Sequence, residues 1–228
     1  MTNVPTLLDE AGAASIATAV MMSHHGFRRD VRRFGVALEA LAGGRAGNVE
    51  ALRDEWRSFR ATLHGHHHAE DTGIFPMVAR EHQALRPTLD GLAEDHRRID
   101  PLLDRGDGAF AELPRTVAVA APIISELGTL LDPHLATEEA EVIPHLRALK
   151  AFPPPAGEAE AEMLTQGFAW ACHGIAPEVL ERVYTMLQPE VRARLPAARA
   201  AFEQRWRRVW GPGAEVTASF TPIPSPMS

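Results

Sequence analysis

Two segments of this chain share one spacing of histidine, acid and proline, and this spacing restricts the fold more than any other feature. In the first segment His66 is followed four residues later by Glu70 and then by a second acid. In the second, His134 is followed in the same way by Glu138 and a second acid, and each segment ends in two apolar residues and a proline. Residues i and i+4 of a helix project from one face about one turn apart, so each pair can converge on one point.

A second matched pair of histidines precedes these segments. His24 and His96 each open into an apolar run of helical period. His24 and His96 are 72 positions apart, and His66 and His134 are 68 apart, so the pattern repeats with a nearly constant period. A duplicated helix pair folds most simply into an antiparallel, up-and-down four-helix bundle.

The remaining periodicity also predicts an all-α chain without strands. Helices are expected over about 6–41, from the N-cap Asn48 to about residue 71 with a kink or restart at Pro76, and from Asp90 to the glycines at 106–108. The fourth is expected from near Pro114 to about residue 149.

Composition changes divide the chain into four parts. Residues 1–150 are predicted to form the bundle and its metal site, and the proline-rich stretch 151–157 is predicted to be a linker. Residues 158–210 regain helical periodicity and are expected to pack against the bundle as a C-terminal extension. Residues 211–228, rich in proline, serine and threonine, are expected to be a disordered tail.

Charge and cysteine content exclude several classes of function. The net charge of −7 argues against nucleic acid or an anionic membrane as the main partner. The single cysteine permits neither an intrachain disulfide nor a cysteine-based metal site. With no signal peptide and no apolar run long enough to span a bilayer, a cytoplasmic protein is expected.

The unusual count is 11 histidines, four of which the predicted bundle brings to one level together with two glutamates. Burying these carboxylates without a cation would leave costly charges unpaired. One structural zinc needs about four ligands, so this set fits two metal ions better, with the glutamates placed to bridge them. Imidazole with carboxylate favours iron, while manganese or zinc also fits. The predicted ligands are His24, His66, Glu70, His96, His134 and Glu138.

Over about residues 15–150 these motifs resemble the hemerythrin-like, or HHE cation-binding, domains. The resemblance implies an up-and-down four-helix bundle that holds two iron ions as a carboxylate-bridged centre with an oxo or hydroxo bridge. It also implies reaction with dioxygen, hydrogen peroxide or nitric oxide as small ligands.

The chain departs from the oxygen-carrying members in one position. These have His-x-x-x-His on the third helix, whereas this chain has Asp100 four residues after His96, so one iron lacks a histidine and oxygen carriage is in doubt. Asp100, His25 and Asp71 stay open as further ligands, and His67 with Asp71 is the alternative to the pair at 66 and 70. The expected surface or supporting histidines are His64, His67, His68, His82, His145 and His173.

Two classes of function follow. The first is a diiron centre that binds or turns over dioxygen, peroxide or nitric oxide, with catalase-like peroxide decomposition as the preferred activity. The second is a non-catalytic, iron-dependent sensor or binding module that reports through residues 158–210, or a metal store. The sequence does not predict the oligomeric state.

Overall fold

A computed structural model describes residues 7–45 and 47–211. The all-α prediction is confirmed, because these residues form helices and turns and no strand. In chain order the helices are α1 (Ile16–Ala42), α2 (Val49–Ala69), α3 (Phe75–Glu81), α4 (Arg86–Ala111), α5 (Val117–Thr137), α6 (Glu158–Ala171), α7 (Pro177–Tyr184) and α8 (Pro189–Trp210).

Helices α1, α2, α4 and α5 form the four-helix bundle. Helix α5 packs on α1 and α4, and α2 packs on α4 and α1. The bundle has two apolar clusters, one around Phe34, Trp56 and Phe110 and a smaller one around Met21 and Leu92. The histidines and glutamates of the repeated motif lie at the intermediate positions of all four helices, so a polar layer separates the two apolar clusters.

The first helix begins later than predicted. Residues 7–15 form bends and turns, so the prediction of helix from about residue 6 is wrong over this stretch. Asp9 Oδ1 accepts hydrogen bonds from the N–H groups of Ala11 and Ala13, and Gly12 has φ of 73°. These side-chain hydrogen bonds stabilise a turn in place of a helix over residues 9–13. Helix α1 starts after Ser15, whose N–H donates a 3.0 Å hydrogen bond to the Thr18 hydroxyl.

Helix α4 extends in both directions past its predicted limits. It starts at Arg86 instead of Asp90 and continues through the glycines that were predicted to end it. Gly106 serves packing there, since a Cβ would lie 2.2 Å from the Trp56 indole. The same indole donates a hydrogen bond of 2.9 Å to Asp107 Oδ1, which ties α2 to α4.

The C-terminal helices lie against the bundle. Helix α6 packs on α1 and α8, and α8 also packs on α2. No described helix is long and apolar enough to cross a membrane. The tail prediction for residues 211–228 falls, beyond residue 211, outside the described residues.

Candidate metal centre

Both repeated motifs leave α-helical geometry at their glutamate. Residues Glu70–Ile74 and Glu138–Val142 form single π-helical turns, each closed by a bond from the N–H five residues on to the glutamate carbonyl. Such turns insert one residue into the helix and often mark functional sites. The matching position of the two turns agrees with the sequence repeat.

A two-histidine group forms on one side of the polar layer. His24 of α1 and His66 of α2 face Glu70 and Glu138, and one ligand atom from each of the four residues lies within 4.8 Å of the others. Glu138 Oε2 is 3.3 Å from His24 Nε2, and Glu70 Oε1 is 3.1 Å from His66 Nε2. Two ligands bound to one ion at about 2.1 Å and at right angles lie about 3 Å apart, so these distances suit a shared cation.

A three-histidine group forms on the other side. It contains His67, His96 and His134 with Glu70, again with ligand atoms within 4.8 Å of one another. The Nε2 atoms of His96 and His134 are 3.3 Å apart, and the rings of His67 and His96 stack at 4.0 Å. Three imidazoles therefore converge on one small volume.

The two glutamates lie between the groups. Glu70 turns Oε1 towards His66 and Oε2 towards His96, the latter at 3.6 Å. Glu138 turns Oε2 towards His24 and Oε1 towards His134, the latter at 3.5 Å. Each carboxylate thus offers one oxygen to each group, which is the arrangement of a bridging ligand.

Buried atoms without hydrogen bonds indicate that this arrangement fits a cation. Among the described residues they include Nε2 of His24, His66 and His67, Glu70 Oε2 and both carboxylate oxygens of Glu138. A buried polar atom without a partner costs free energy, and so many at one level are rare unless a ligand satisfies them. Imidazole nitrogen and carboxylate oxygen are also donors that suit iron, manganese and zinc.

Electrostatics point the same way. Burial raises the pKa of Glu70 to about 7 and lowers that of His66 to about 3, and His134 falls to about 4. Burial also acts to lower the pKa of His24, but the neighbouring carboxylates of Glu138 and Glu139 outweigh it and raise the pKa to about 9. A cation would replace protons here, because ligand carboxylates and imidazoles must be deprotonated to bind it.

The acid that follows each glutamate supports a histidine of the cluster. Glu139 Oε1 lies 3.0 Å from His24 Nδ1, and Asp71 Oδ1 lies 3.0 Å from His96 Nδ1. Arg28 holds Glu139 through a 2.6 Å hydrogen bond. A carboxylate at Nδ1 orients the ring and leaves Nε2 free to bind metal. This explains why each repeated motif has a second acid after its glutamate.

The structure brings together all six residues that the sequence singled out and adds His67. The expectation that His67 lies at the surface is wrong, because it is buried and one of its ring nitrogens lies within 4.8 Å of ligand atoms of Glu70, His96 and His134. The spacing of three residues from His67 to Glu70 was the available signal, since i and i+3 also share a helix face.

The other candidates lie outside the two groups. Asp100 is exposed, as are His64 and His68, while Asp71 reaches the centre only through His96. His25 is buried but belongs to neither group. The remaining histidines are half-buried: His82 and His145 contact each other at the end of the bundle, and His173 contacts Trp206.

Among the histidines of the two groups, His66 has a partly exposed side chain, although its Nε2 atom is buried. The His66 side chain is 12% exposed, whereas those of His24 and His96 are 0% and 4% exposed. Each group contains four residues, of which two are histidines in the group of His66 and three in the other. The His66 side of the centre therefore has one imidazole fewer and the more exposed histidine side chain.

The profile of the Hemerythrin HHE cation binding domain family matches residues 15–146. This range contains both groups and all four bundle helices. No curated protein and no solved structure matches the chain.

Proposed function

Because the chain belongs to the hemerythrin HHE cation-binding family, we propose that its bundle holds two iron ions and reacts with a small oxygen or nitrogen ligand. Five imidazoles and two carboxylates that converge on two adjacent points support this proposal most strongly. His24 and His66 would hold one ion, and His67, His96 and His134 the other. Glu70 and Glu138 would bridge them.

The proposed site of reaction is the ion held by His24 and His66. That ion has one imidazole fewer than its neighbour and lies beside the partly exposed His66. An open coordination position lets a metal ion bind and polarise a small molecule. Dioxygen, peroxide and nitric oxide are small enough for this approach, and the buried remainder of the centre would keep bulk water away.

His67 changes the interpretation of the missing histidine on α4. Asp100 stands where the oxygen-carrying members have a second histidine on that helix, but His67 of α2 lies with His96 and His134 instead. The second ion would then have three imidazoles without help from Asp100. The departure at position 100 is therefore no argument against dioxygen binding.

Peroxide decomposition is the activity we propose first. One hydrogen peroxide molecule accepts two electrons and two protons and becomes two water molecules, while a second gives up two electrons and two protons and becomes dioxygen. An iron pair held by the same bridging carboxylates in both oxidation states can store the two electrons between these steps. The protein's part is to hold the ions, to orient His24 through Glu139 and to admit peroxide past His66.

Dioxygen release from peroxide tests this activity. Iron-loaded wild-type protein is expected to release dioxygen at an oxygen electrode, and His66→Ala is expected to lose that activity. His68→Ala is the matched control, because His68 is the exposed histidine two positions along the same helix. No dioxygen release by iron-loaded wild-type protein would refute peroxide turnover, and spectral titration with dioxygen and nitric oxide would then test binding alone. Equal activity in both variants would refute the assignment of the reaction to the His66 side.

A contact between the centre and the C-terminal helices favours one second candidate, an iron-dependent sensor. Phe27 touches both the His66 ring, at 5.1 Å, and the Trp170 ring of α6, at 4.9 Å. Ligand binding at His66 could thus alter the packing of α6. Limited proteolysis of metal-free and iron-loaded protein distinguishes the two, because only a sensor requires the cleavage of residues 158–210 to depend on iron or its ligand.

A further inference from the structure

Four aromatic rings, which we call the aromatic chain, lead from the centre to the surface in two contacting pairs that the Arg29 side chain separates: Phe27 with Trp170, and Trp206 with Trp210. Phe27 lies 5.1 Å from the His66 ring and 4.9 Å from Trp170. The Arg29 guanidinium bridges the next step, 5.5 Å from Trp170 and 5.0 Å from Trp206. Trp206 and Trp210 are 5.8 Å apart.

The inner tryptophan is held in a specific position. Its indole lies against the α1 backbone at Gly26, where a Cβ would be only 2.5 Å from the ring. Its Nε1 donates a 2.7 Å hydrogen bond to Asp30 Oδ2, and Asp30 is fully buried. A carboxylate at the indole N–H can accept the proton as an electron leaves the ring, and a charge-assisted hydrogen bond of this kind is strong.

The outer end of the chain reaches solvent. Trp206 is buried, but Trp210 is half-buried and forms one wall of a surface groove of about 170 Å³. Arg33 and Arg45 line the same groove. Oxidation of Trp210 therefore places the missing electron on a ring at the edge of the molecule. His66 and Phe27 lie in the interior.

We propose that the aromatic chain is an electron-transfer route between the iron pair and the surface. The inference rests on the proposed diiron function and adds a route to it. Hydrogen peroxide, the oxidant, would take two electrons from the iron pair and two protons from water and become two water molecules. An indole of the chain would return one of the two electrons, which leaves the pair oxidised by one electron. The Trp170 indole also loses its N–H proton to Asp30 as it gives up the electron, and becomes a neutral radical.

Such a route protects the ligands of the centre. An oxidised metal pair that lacks a second peroxide molecule takes electrons from its nearest donors, which here are imidazoles and Phe27. Indole loses an electron more easily than either, and three indoles in series carry the oxidation towards Trp210. Damage then falls on a surface residue and not on the iron ligands.

The structure provides a matched control for Trp170. Trp56 is also buried, also donates its indole N–H to an aspartate, and also lies against a glycine of a neighbouring helix. Trp56 contacts Phe34, Phe59 and Phe110 but no member of the aromatic chain directly; Phe34 in turn contacts Trp210, and Phe59 contacts Phe27. Trp170→Phe and Trp56→Phe therefore remove similar packing and one hydrogen bond each, but only the first removes an indole of the aromatic chain.

The test traps the radical where it forms. Wild-type protein whose iron content has been measured is mixed with hydrogen peroxide and a nitroso spin trap, and the adducts are located by peptide mass spectrometry. Adducts on Trp206 and Trp210 that require both iron and peroxide are expected. In Trp170→Phe they should fall to the level of iron-free protein, and in Trp56→Phe they should persist.

A second variant keeps the test decisive if Trp170→Phe does not fold. In Trp210→Phe the outermost donor is removed, so adducts are expected to accumulate on Trp206. Adducts that form without iron, or that survive Trp170→Phe unchanged or fail to shift in Trp210→Phe, would overturn the route while leaving the iron centre intact. Protein that binds no iron would overturn the proposed function as well.

Discussion

Two adjacent histidines, His66 and His67, belong to different histidine groups, and Glu70 belongs to both. His66 approaches Glu70 Oε1, while His67 joins the group at Glu70 Oε2. Neighbouring residues of a helix point about a quarter turn or more apart, so two rings in sequence can serve one centre only if it is wide. A carboxylate-bridged pair of ions has that width, and a single ion does not.

Replacing His67 tests this assignment. His67→Ala removes one of three imidazoles from the second ion, so iron content is expected to fall by about one ion per chain. His68→Ala should keep the wild-type content, because His68 is exposed. Elemental analysis of both purified variants checks this, and equal iron in the two would remove His67 from the ligand set.

The carboxylates behind the histidines should control affinity without touching metal. Glu139→Ala removes the partner of His24 Nδ1 and leaves Arg28 without its closest acceptor, so iron affinity is expected to fall about 10–100-fold. Glu141→Ala is the control, an exposed glutamate of the same turn. Competition with a chelator measures both, and a Glu139→Ala affinity equal to that of Glu141→Ala would contradict the supporting role.

At the scale of the elements, the predicted and observed structures agree where a helix is regular and differ where it is not. The repeat predicted which faces of α1, α2, α4 and α5 meet, because helical period alone determines this. It could not predict the π turns at Glu70 and Glu138, since an inserted residue leaves no periodic signal over one turn. The sequence analysis missed His67 for a related reason. Glu70 was paired with the histidine four residues before it, which is His66, and His67 can join the same centre only if Glu70 faces both histidine groups.

The junction between α1 and α6 depends on close backbone contact. Gly26→Ala places a methyl group against the Trp170 indole, so unfolding free energy is expected to fall by about 1–3 kcal/mol. Gly35→Ala on the same helix meets nothing within 4 Å and is expected to stabilise by about 0.5–1 kcal/mol. Urea unfolding of both variants measures this, and a neutral Gly26→Ala would mean that α6 does not sit on α1 as described.

His173 gives the same junction a pH dependence. Burial, and then the charge of Arg29, lowers its pKa from 6.5 to about 4. Between these values the unfolded chain binds the proton and the folded chain does not, so stability falls as pH falls from about 6.5 to 4. His173→Phe, which keeps a ring beside Phe202 and Trp206, should lose less stability over that range. Parallel pH dependence in the two proteins would contradict a neutral His173.

At the scale of the whole molecule, the chain combines a duplicated bundle with an added helical layer. The repeated motif accounts for the match between the two halves of the centre: each supplies a lone histidine, a glutamate that faces both groups and a second acid at a histidine Nδ1. It does not predict the layer formed by α6 and α8. The apolar period of these segments indicates that they are helical, but it does not indicate which surface of the bundle they cover. That surface includes Arg29 and Asp30, whose buried side chains meet Trp170.

The central claim is that one chain holds two iron ions between these helices. Elemental analysis with an absorption spectrum, on untagged protein from iron-supplemented cells, tests it most directly. The account predicts about two irons per chain and near-ultraviolet bands from an oxo-bridged or hydroxo-bridged iron pair. Protein that contains no metal, or a single zinc ion per chain, would contradict the account and leave a helical bundle whose buried histidines have another purpose.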